Sequence, residues 1–464
     1  MPALARKLKL HDYFALAFGT MIGTGWLVLM DDWLGRGGPL GAILGFVLGG
    51  LILLPVGYVY GQWVLRLPDA AGEAAYTAQV FPPVISYFTG WLMLLSYFIV
   101  CPWEAVALGK IAAYIFPSLD SIEIYRVAGQ PVFLFRLLLG IALTVFLSVI
   151  NYRGIRLSAN FQKLMTTAVI LLFLVLVAIS GARGSTPHLL PLFRGAPLVS
   201  IMLTLQIVPY FITGFESVPK YAEEANPDLR GKSFMLAIAM TLGVGVSFYA
   251  LCIAAVSYVA PWQGLLGKRF ATAIAFEQAL GAHWPVQLIL VMAMFGLFQC
   301  FNGNFAASTR MLFAFGRNGT VVAGLGRVHP AFQTPGNAVL ALSAGTLIAL
   351  FLGDSLLVPV TEVGSASSAF GWFASCVSLF LFVGRGRASS VVNPPSGDGS
   401  QPASPSRLRI VAAFGALAAL ALVLMKFLPM FPGHFSVAEY IALGIWLLIG
   451  LLLRRSSKVT LQAA

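Results

Sequence analysis

The sequence predicts an all-α, polytopic membrane protein with about twelve transmembrane helices. Of its 464 residues, 59% are hydrophobic and only 10% are charged, and the mean hydropathy is +0.87. A soluble domain has roughly 25% charged residues. The apolar residues also form runs long enough to cross a bilayer, which needs ~20 helical residues. The basic residues behind the net charge of +12 lie in short segments between these runs, so we expect no nucleic-acid partner.

Charged residues, prolines and glycines divide the apolar sequence into consecutive spans. We predict these spans at about residues 13–30, 39–65, 84–116, 131–150, 158–180, 198–222, 233–260, 285–315, 336–353, 358–384, 408–428 and 435–453. The Ser-, Pro- and Gly-rich segment 389–406 is predicted to be a flexible cytoplasmic linker. It separates a ten-helix core, residues 1–388, from two terminal helices and a cytoplasmic tail, residues 407–464.

Lysine and arginine positions indicate the orientation. If the N-terminus is cytoplasmic, most of the 29 Lys and Arg residues fall in cytoplasmic segments, in agreement with the positive-inside rule. We therefore predict a multi-pass protein of the cell membrane, with the lipid bilayer around it and both termini in the cytoplasm. No oligomeric state is predicted.

Residue types that often carry catalysis or bind metals are arranged without a recognisable pattern. The four cysteines lie inside apolar spans without CxxC spacing, and the five histidines lie near span ends or in loops. Neither HExxH nor GxSxG occurs. We therefore predict no enzyme, no catalytic residue, no cofactor and no metal site.

The first span contains three glycines in seven residues, in the stretch Gly19-Thr20-Met21-Ile22-Gly23-Thr24-Gly25. Glycines in membrane helices often allow close helix packing, which is one explanation of this stretch. The other is a break in the helix. A break at membrane depth exposes backbone groups that lipid cannot satisfy, so it is tolerated where it lines a cavity.

A second interrupted span favours the cavity. The sixth span contains Pro209, Gly214 and the unpaired carboxylate Glu216, and it opens a second set of five spans. Interrupted helices at corresponding positions of two halves are typical of inverted-repeat transporters, which bind substrate between them. We predict repeats over about residues 11–180 and 198–385. The N-H groups that a break exposes suit a carboxylate, and the carbonyls suit an ammonium group.

Five spaced motifs resemble those of the amino acid, polyamine and organocation permease superfamily, which has the leucine-transporter-like fold. They are the glycine stretch 19–25, Arg66-Leu67-Pro68 leading to Gly72-Glu73, Gly90-Trp91, Gly214-Phe215-Glu216-Ser217 followed by Glu223-Glu224-Ala225-Asn226-Pro227, and Ser308-Thr309-Arg310 leading to Gly316-Arg317-Asn318-Gly319 and Thr334-Pro335. The resemblance covers roughly residues 9 to 385. It implies a 5+5 inverted repeat with broken first and sixth helices, followed by two terminal helices.

The resemblance also implies a substrate site. Backbone at Gly23, Thr24 and Gly25 would bind a carboxylate, carbonyls near Met21, Tyr210 and Thr213 would bind an amine, and Tyr210 would close over the substrate. The complete predicted substrate-binding set is Met21, Ile22, Gly23, Thr24, Gly25, Ser96, Tyr97, Tyr210, Thr213, Gly214, Phe215 and Gln299. Glu216 and Glu104 are candidates for binding a coupling proton, because a carboxylate near the bilayer centre is costly unless it has a role. For Gln299, a helix-packing role is an equal alternative.

The resemblance implies a secondary active transporter that moves an amino acid by alternating access. An amine or polyamine permease and a non-transporting amino acid sensor are the alternatives. Some relatives have a lysine in the fifth span where sodium-coupled ones bind an ion, but this sequence has Thr166 and Thr167 there. Proton coupling, sodium coupling, exchange and uniport therefore remain open.

Overall fold

The computed structural model describes residues 4–229, 231–387, 404–431 and 434–455. The α-helices are α1 (Leu10–Met21), α2 (Gly25–Val28), α3 (Met30–Arg66), α4 (Glu73–Ala78), α5 (Pro83–Phe98), α6 (Val100–Ile115), α7 (Leu134–Arg153), α8 (Ile155–Arg183), α9 (Pro197–Leu205), α10 (Val208–Phe211), α11 (Gly231–Val259), α12 (Ala271–Leu280), α13 (Trp284–Arg317), α14 (Gly336–Leu350), α15 (Leu357–Gly384), α16 (Pro405–Phe427) and α17 (Val437–Leu453). Short 3-10 helices are Pro117–Asp120, Thr186–Leu189, Phe215–Glu224, Trp262–Leu265, Ala323–Gly326 and Gly353–Leu356. Strands β1 (Glu123–Val127) and β2 (Gln130–Phe133) form an antiparallel hairpin.

About half of these helices belong to segments that are long and apolar enough to cross a membrane. In the described ranges there are eight such segments, and α9 together with Val208–Glu224 forms a ninth that is bent by 44°. The all-α, multi-pass prediction is confirmed. The number twelve stays a prediction, because α1, α14 and α17 have only 12, 15 and 17 residues.

The observed elements differ from the predicted spans in two connections. Residues between the first and second predicted spans are helical, since α3 starts at Met30 and only kinks at Gly38, where φ is +64°. The fourth span starts at Leu134 and not near residue 131, because β2 precedes it. Ala128 and Gly129, at φ of 47° and 79°, form the two-residue turn of that hairpin.

The two interrupted segments lie side by side in the core. α1 packs against α8, α11, α13 and the 3-10 helix Phe215–Glu224. Gly214 makes the close approach possible. Its φ is +147°, which favours glycine, and an added Cβ atom would lie 2.6 Å from the carbonyl oxygen of Ala17. The break in the sixth span therefore contacts the end of α1 directly.

The two terminal helices pack on the outside of this core. α16 contacts α3 and α15, and α17 contacts α5 and α15. Trp91 on α5 and Trp446 on α17 stack at 4.7 Å between ring centroids, and each indole donates a 2.9 Å hydrogen bond to the carbonyl of the other residue. The predicted linker, residues 389–406, and the tail after residue 455 lie largely outside the described residues.

Candidate functional site

The first candidate site feature is the α1 break, residues Ile22–Thr24, between α1 and α2. Ile22 is extended, with φ of −99° and ψ of 96°. The carbonyl oxygens that leave the helix there accept hydrogen bonds from side chains of other helices. The Tyr249 hydroxyl donates to Met21 over 2.8 Å, and Gln299 Nε2 donates to Ile22 over 2.9 Å. Backbone groups exposed by the break are thus satisfied by α11 and α13.

The start of α2 binds a carboxylate from within the chain. The Thr24 backbone N-H and hydroxyl donate to Glu104 over 3.2 and 2.9 Å. Glu104 lies on α6 and is only 2% exposed. A Cβ atom on Gly23 would lie 1.9 Å from Glu104 Oε1, and one on Gly25 would lie 2.5 Å from the Phe211 ring. Both glycines are needed at these close approaches.

The α10 break, residues Ile212–Gly214, precedes the 3-10 helix Phe215–Glu224. The Thr213 hydroxyl donates to the Pro209 carbonyl over 2.6 Å. The Gly214 N-H donates to Glu216 Oε2 over 2.9 Å, so the carboxylate caps the start of the 3-10 helix. The backbone groups of this break are satisfied by close neighbours in sequence, and the Thr213 hydroxyl also lies 3.2 Å from the Ser368 hydroxyl on α15.

A small cavity lies between the two breaks. It is lined by Thr20, Met21, Gly23, Gly25, Ser96, Val100, Trp103, Glu104, Tyr210, Phe211, Thr213, Tyr249, Cys300 and Asn304. About 20 Å³ is open to the centre of a water-sized sphere, which is room for about one water molecule. The cavity must therefore expand to bind a substrate.

The structure brings some predicted site residues to this cavity and places others behind it. Met21, Gly23, Gly25, Ser96, Tyr210, Thr213 and Glu104 line it, whereas Ile22, Thr24, Tyr97, Gly214, Phe215, Gln299 and Glu216 do not. Phe215 packs against Trp372 and Tyr60. Gln299 joins helices, since it also accepts a 2.8 Å bond from Thr166 on α8. None of these placements tests substrate contact, so the predicted set stays a prediction.

Several lining residues were missed from sequence. Trp103 and Phe211 are next in sequence to Glu104 and Tyr210, which were predicted as site residues. Their place in the sequence could therefore have identified them. Tyr249 lies in the uniformly apolar stretch 233–260, where no local pattern distinguishes a site residue.

Aromatic side chains cluster at the cavity. The Tyr210 and Trp103 ring centroids are 6.5 Å apart. Phe211 contacts Trp33 edge to face at 4.8 Å, and Trp33 contacts Tyr249 at 5.6 Å. Trp103, Tyr210, Phe211 and Tyr249 line the cavity, and Trp33 packs against two of them.

The face that carries residues Leu4–Lys9, here the N-terminal face, is closed by backbone pairing and ion pairs. The N-H groups of Lys7 and Leu8 donate to the Glu224 carbonyl over 2.9 and 3.0 Å, and the Asn226 N-H donates to Leu8 over 2.9 Å. Fully buried Arg310 donates twice to the Glu224 carboxylate, over 2.9 and 3.1 Å.

A second ion pair on this face joins loops. Arg317 donates two bonds to Glu223, over 2.6 and 2.9 Å, and lies 3.4 Å from Asp69. Burial raises the pKa of the Asp69 carboxyl, and the Arg317 charge opposes this shift.

Two interrupted membrane helices around a small cavity define a membrane transporter of the broken-helix type. No group of three or more His, Cys, Asp or Glu residues that could hold a metal occurs in the described ranges. The chain belongs to the amino acid permease family, whose model matches residues 8–452. Members of this family are transporters and not enzymes.

Curated relatives agree with this assignment. The branched-chain amino acid permease BcaP of Bacillus subtilis (strain 168) is 25% identical over 460 residues, covering 97% of this chain and 92% of that protein. The amino-acid permease RocE of the same organism is 22% identical over 399 residues, covering 82% and 81%. Its methylthioribose transporter is 24% identical over 379 residues, covering 79% of each chain. The predicted function in amino acid transport is confirmed at the level of the family.

Proposed function

We propose that this protein is a secondary active transporter of the cell membrane that moves an α-amino acid by alternating access, with both termini in the cytoplasm. The basic residues of the short loops support this orientation. The observation that carries the proposal is the bond between the α1 break and Glu104. Thr24 binds a carboxylate with its N-H and its hydroxyl, over 3.2 and 2.9 Å, and that carboxylate, Glu104, lines the cavity. The Glu104 oxygens stand in for those of a substrate carboxylate.

In this proposal the substrate carboxylate replaces Glu104 on Thr24. The amino group then binds at the carbonyls of the breaks, where the Tyr249 hydroxyl now bonds to Met21. The displaced Glu104 remains near the cavity and competes with the substrate for the same donors. Removing its charge is therefore expected to strengthen substrate binding.

An amine permease is the second candidate, and the same contact favours it. If Glu104 stays on Thr24, it supplies the carboxylate itself, and a ligand with only an amino group completes the site. The two candidates therefore predict opposite effects of a Glu104→Gln substitution.

Counterflow of labelled substrate in proteoliposomes tests both candidates. The compounds are amino acids and the amines that lack their carboxyl group. For an amino acid transporter, Glu104→Gln retains counterflow and lowers the apparent KM severalfold, about 1 kcal/mol of binding. For an amine transporter, Glu104→Gln abolishes counterflow.

The matched control is Glu277→Gln on α12, a partly exposed carboxylate that pairs with His283. This control should leave counterflow of both the amino acids and the amines unchanged. Saturable binding without counterflow in the wild-type protein would identify a sensor and contradict transport.

A further inference from the structure

A second cavity opens on the N-terminal face, separate from the two breaks. Its walls come from Ala5 and Lys7 of the N-terminal segment, from residues 153–160 around the start of α8, and from residues 331–333 before α14. About 430 Å³ is open to the centre of a water-sized sphere, against about 20 Å³ between the breaks. We refer to it as the basic cavity.

The charged residues that line the basic cavity are all positive. Lys7, Arg153 and Arg156 are exposed, and no aspartate or glutamate is among the lining residues. Within the described ranges, none of these three side chains forms an ion pair. Arg310 on the same face differs, because it is paired with Glu224. An anion in the basic cavity is therefore attracted by three cations at once.

The basic cavity lies at the depth of the lipid headgroups. α7 and α8 are both long and apolar enough to span the membrane, and only Gly154 separates them. Both helices therefore reach the same surface of the bilayer, where Arg153 ends α7 and Arg156 lies in the first turn of α8. The phosphates of lipid headgroups lie at this boundary between apolar spans and water.

Apolar side chains continue from the basic cavity along the outside of α7 and α8. Leu157 and Phe332 line the cavity and are 47% and 39% exposed. One to two turns further along the two helices, Val149, Phe146 and Leu164 are 46, 50 and 64% exposed. Acyl chains can cover this apolar surface while the phosphate of the same molecule stays at the cations. A soluble anion gains nothing from it.

We infer that the basic cavity binds the phosphate of an anionic phospholipid whose acyl chains lie along α7 and α8. The guanidinium groups of Arg153 and Arg156 suit bidentate bonds to phosphate oxygens, and Lys7 adds a third positive charge. In phosphatidylglycerol the phosphate charge is left for these cations. In phosphatidylcholine the phosphate is accompanied by an ammonium group, which the cations repel. The site therefore favours phosphatidylglycerol.

Lys7 links this lipid site to the closure of the N-terminal face. Its backbone N-H donates to the Glu224 carbonyl over 2.9 Å, and the same residue lines the basic cavity. A bound headgroup thus joins the N-terminal segment to the start of α8. Opening of this face must break that contact as well, so the lipid should slow transport. This last step rests on the proposed transport function, whereas lipid binding does not.

Native mass spectrometry of the detergent-solubilised protein tests the binding. The probes are phosphatidylglycerol, phosphatidylcholine and inorganic phosphate. We expect one tightly bound phosphatidylglycerol and weaker binding of phosphatidylcholine. Each basic residue beside an anionic lipid contributes about fivefold in affinity, ~1 kcal/mol, so Arg153→Gln/Arg156→Gln should weaken phosphatidylglycerol binding about 25-fold.

The matched control is Arg183→Gln/Arg194→Gln, which removes two positive charges from exposed residues at and beyond the far end of α8. It should bind phosphatidylglycerol as wild type does. Equal weakening in both double variants would overturn the site, because net charge alone would then attract the lipid. Displacement of phosphatidylglycerol by an equal concentration of inorganic phosphate would overturn the lipid as the occupant.

Photo-crosslinking of wild-type protein locates the lipid even if a variant fails to fold. Phosphatidylglycerol with a photoreactive headgroup should label peptides that contain Lys7, Arg153 or Phe332. Labelling confined to other peptides would overturn the inference.

Counterflow in vesicles of the two lipids tests the effect on transport. Wild-type counterflow should be about fivefold slower in phosphatidylglycerol than in phosphatidylcholine, and Lys7→Gln should remove this difference. Equal wild-type rates in the two lipids would overturn the link between the lipid and the N-terminal face. Absence of counterflow in both lipids would instead refute the proposed function and leave the lipid site intact.

Discussion

The carbonyl oxygens at the α1 break bond to residues far along the chain, whereas the backbone groups at the α10 break bond to residues close in sequence. Met21 and Ile22 accept bonds from Tyr249 and Gln299, which are 228 and 277 residues away in sequence. At the α10 break, Thr213 bonds four residues back. The Gly214 N-H bonds two residues ahead, to Glu216.

This difference separates two roles for the breaks. The α1 break keeps its shape only while α6, α11 and α13 stay in place, so movement of those helices changes its donors and acceptors. The backbone hydrogen bonds of the α10 break are local, and the contact between the Thr213 and Ser368 hydroxyls, over 3.2 Å, joins it to α15. Substitutions that disturb the α1 break should therefore have larger effects than matched substitutions at the α10 break.

The largest expected effect is that of Gly25→Val at the α1 break. A Cβ atom there would lie 2.5 Å from the Phe211 ring, so this ring or α2 must shift at the cavity wall. We expect uptake to fall by about 100-fold, the effect of ~1 Å misplacement of binding groups, while the protein still inserts into the membrane. Initial uptake rates, normalised to purified protein in proteoliposomes, measure this.

The control is Gly243→Val on α11, where an added Cβ atom has no neighbour within 4 Å among the described residues. It should retain uptake. Normal uptake by Gly25→Val would remove the α1 break from the substrate site.

A smaller effect is expected for Gln299→Leu, which removes a partner supplied by a distant helix. The Ile22 carbonyl loses its 2.9 Å donor at a buried position, and Thr166 loses its acceptor. An unsatisfied buried polar group costs about 1–3 kcal/mol. The melting temperature in detergent should fall clearly.

Gln263→Leu provides the comparison for this measurement. The Gln263 side chain donates a 2.8 Å hydrogen bond to the Leu190 carbonyl oxygen at an exposed position. Water can replace that bond, so its melting temperature should change little. Equal losses in both variants would argue that the Gln299 bonds add no special stability to the α1 break.

The smallest effect is expected for Thr213→Val at the α10 break. It removes one local bond to Pro209, which contributes about 1 kcal/mol, and a 3.2 Å contact with the Ser368 hydroxyl on α15. Thr346→Val in α14 removes only the local kind of bond, 2.9 Å to Leu342, and is the reference for that part of the loss. A loss for Thr213→Val that exceeds that of Gln299→Leu would reverse the proposed contrast between the breaks.

The same contrast explains how far the sequence could predict the site. Gly23, Gly25 and Gly214 interrupt apolar spans, and Glu216 is a charge in such a span, so local composition identified both breaks. Tyr249 and the ion pair between Glu73 and Lys220 join segments far apart in sequence, and a single sequence contains no measure of that proximity. Similarly, hydropathy identified the apolar spans but not α12, which is too short to form a span.

The pairing of the N-terminal segment with the end of the sixth span has a mechanical consequence. Four bonds, from Arg6, Lys7 and Leu8 and from Asn226, join these two strands of chain side by side. Bonds arranged in parallel share a load and give way together, so this face should open in an all-or-none step. Breaking the bonds of residues 6–8 would therefore be the step that this face must pass before it opens.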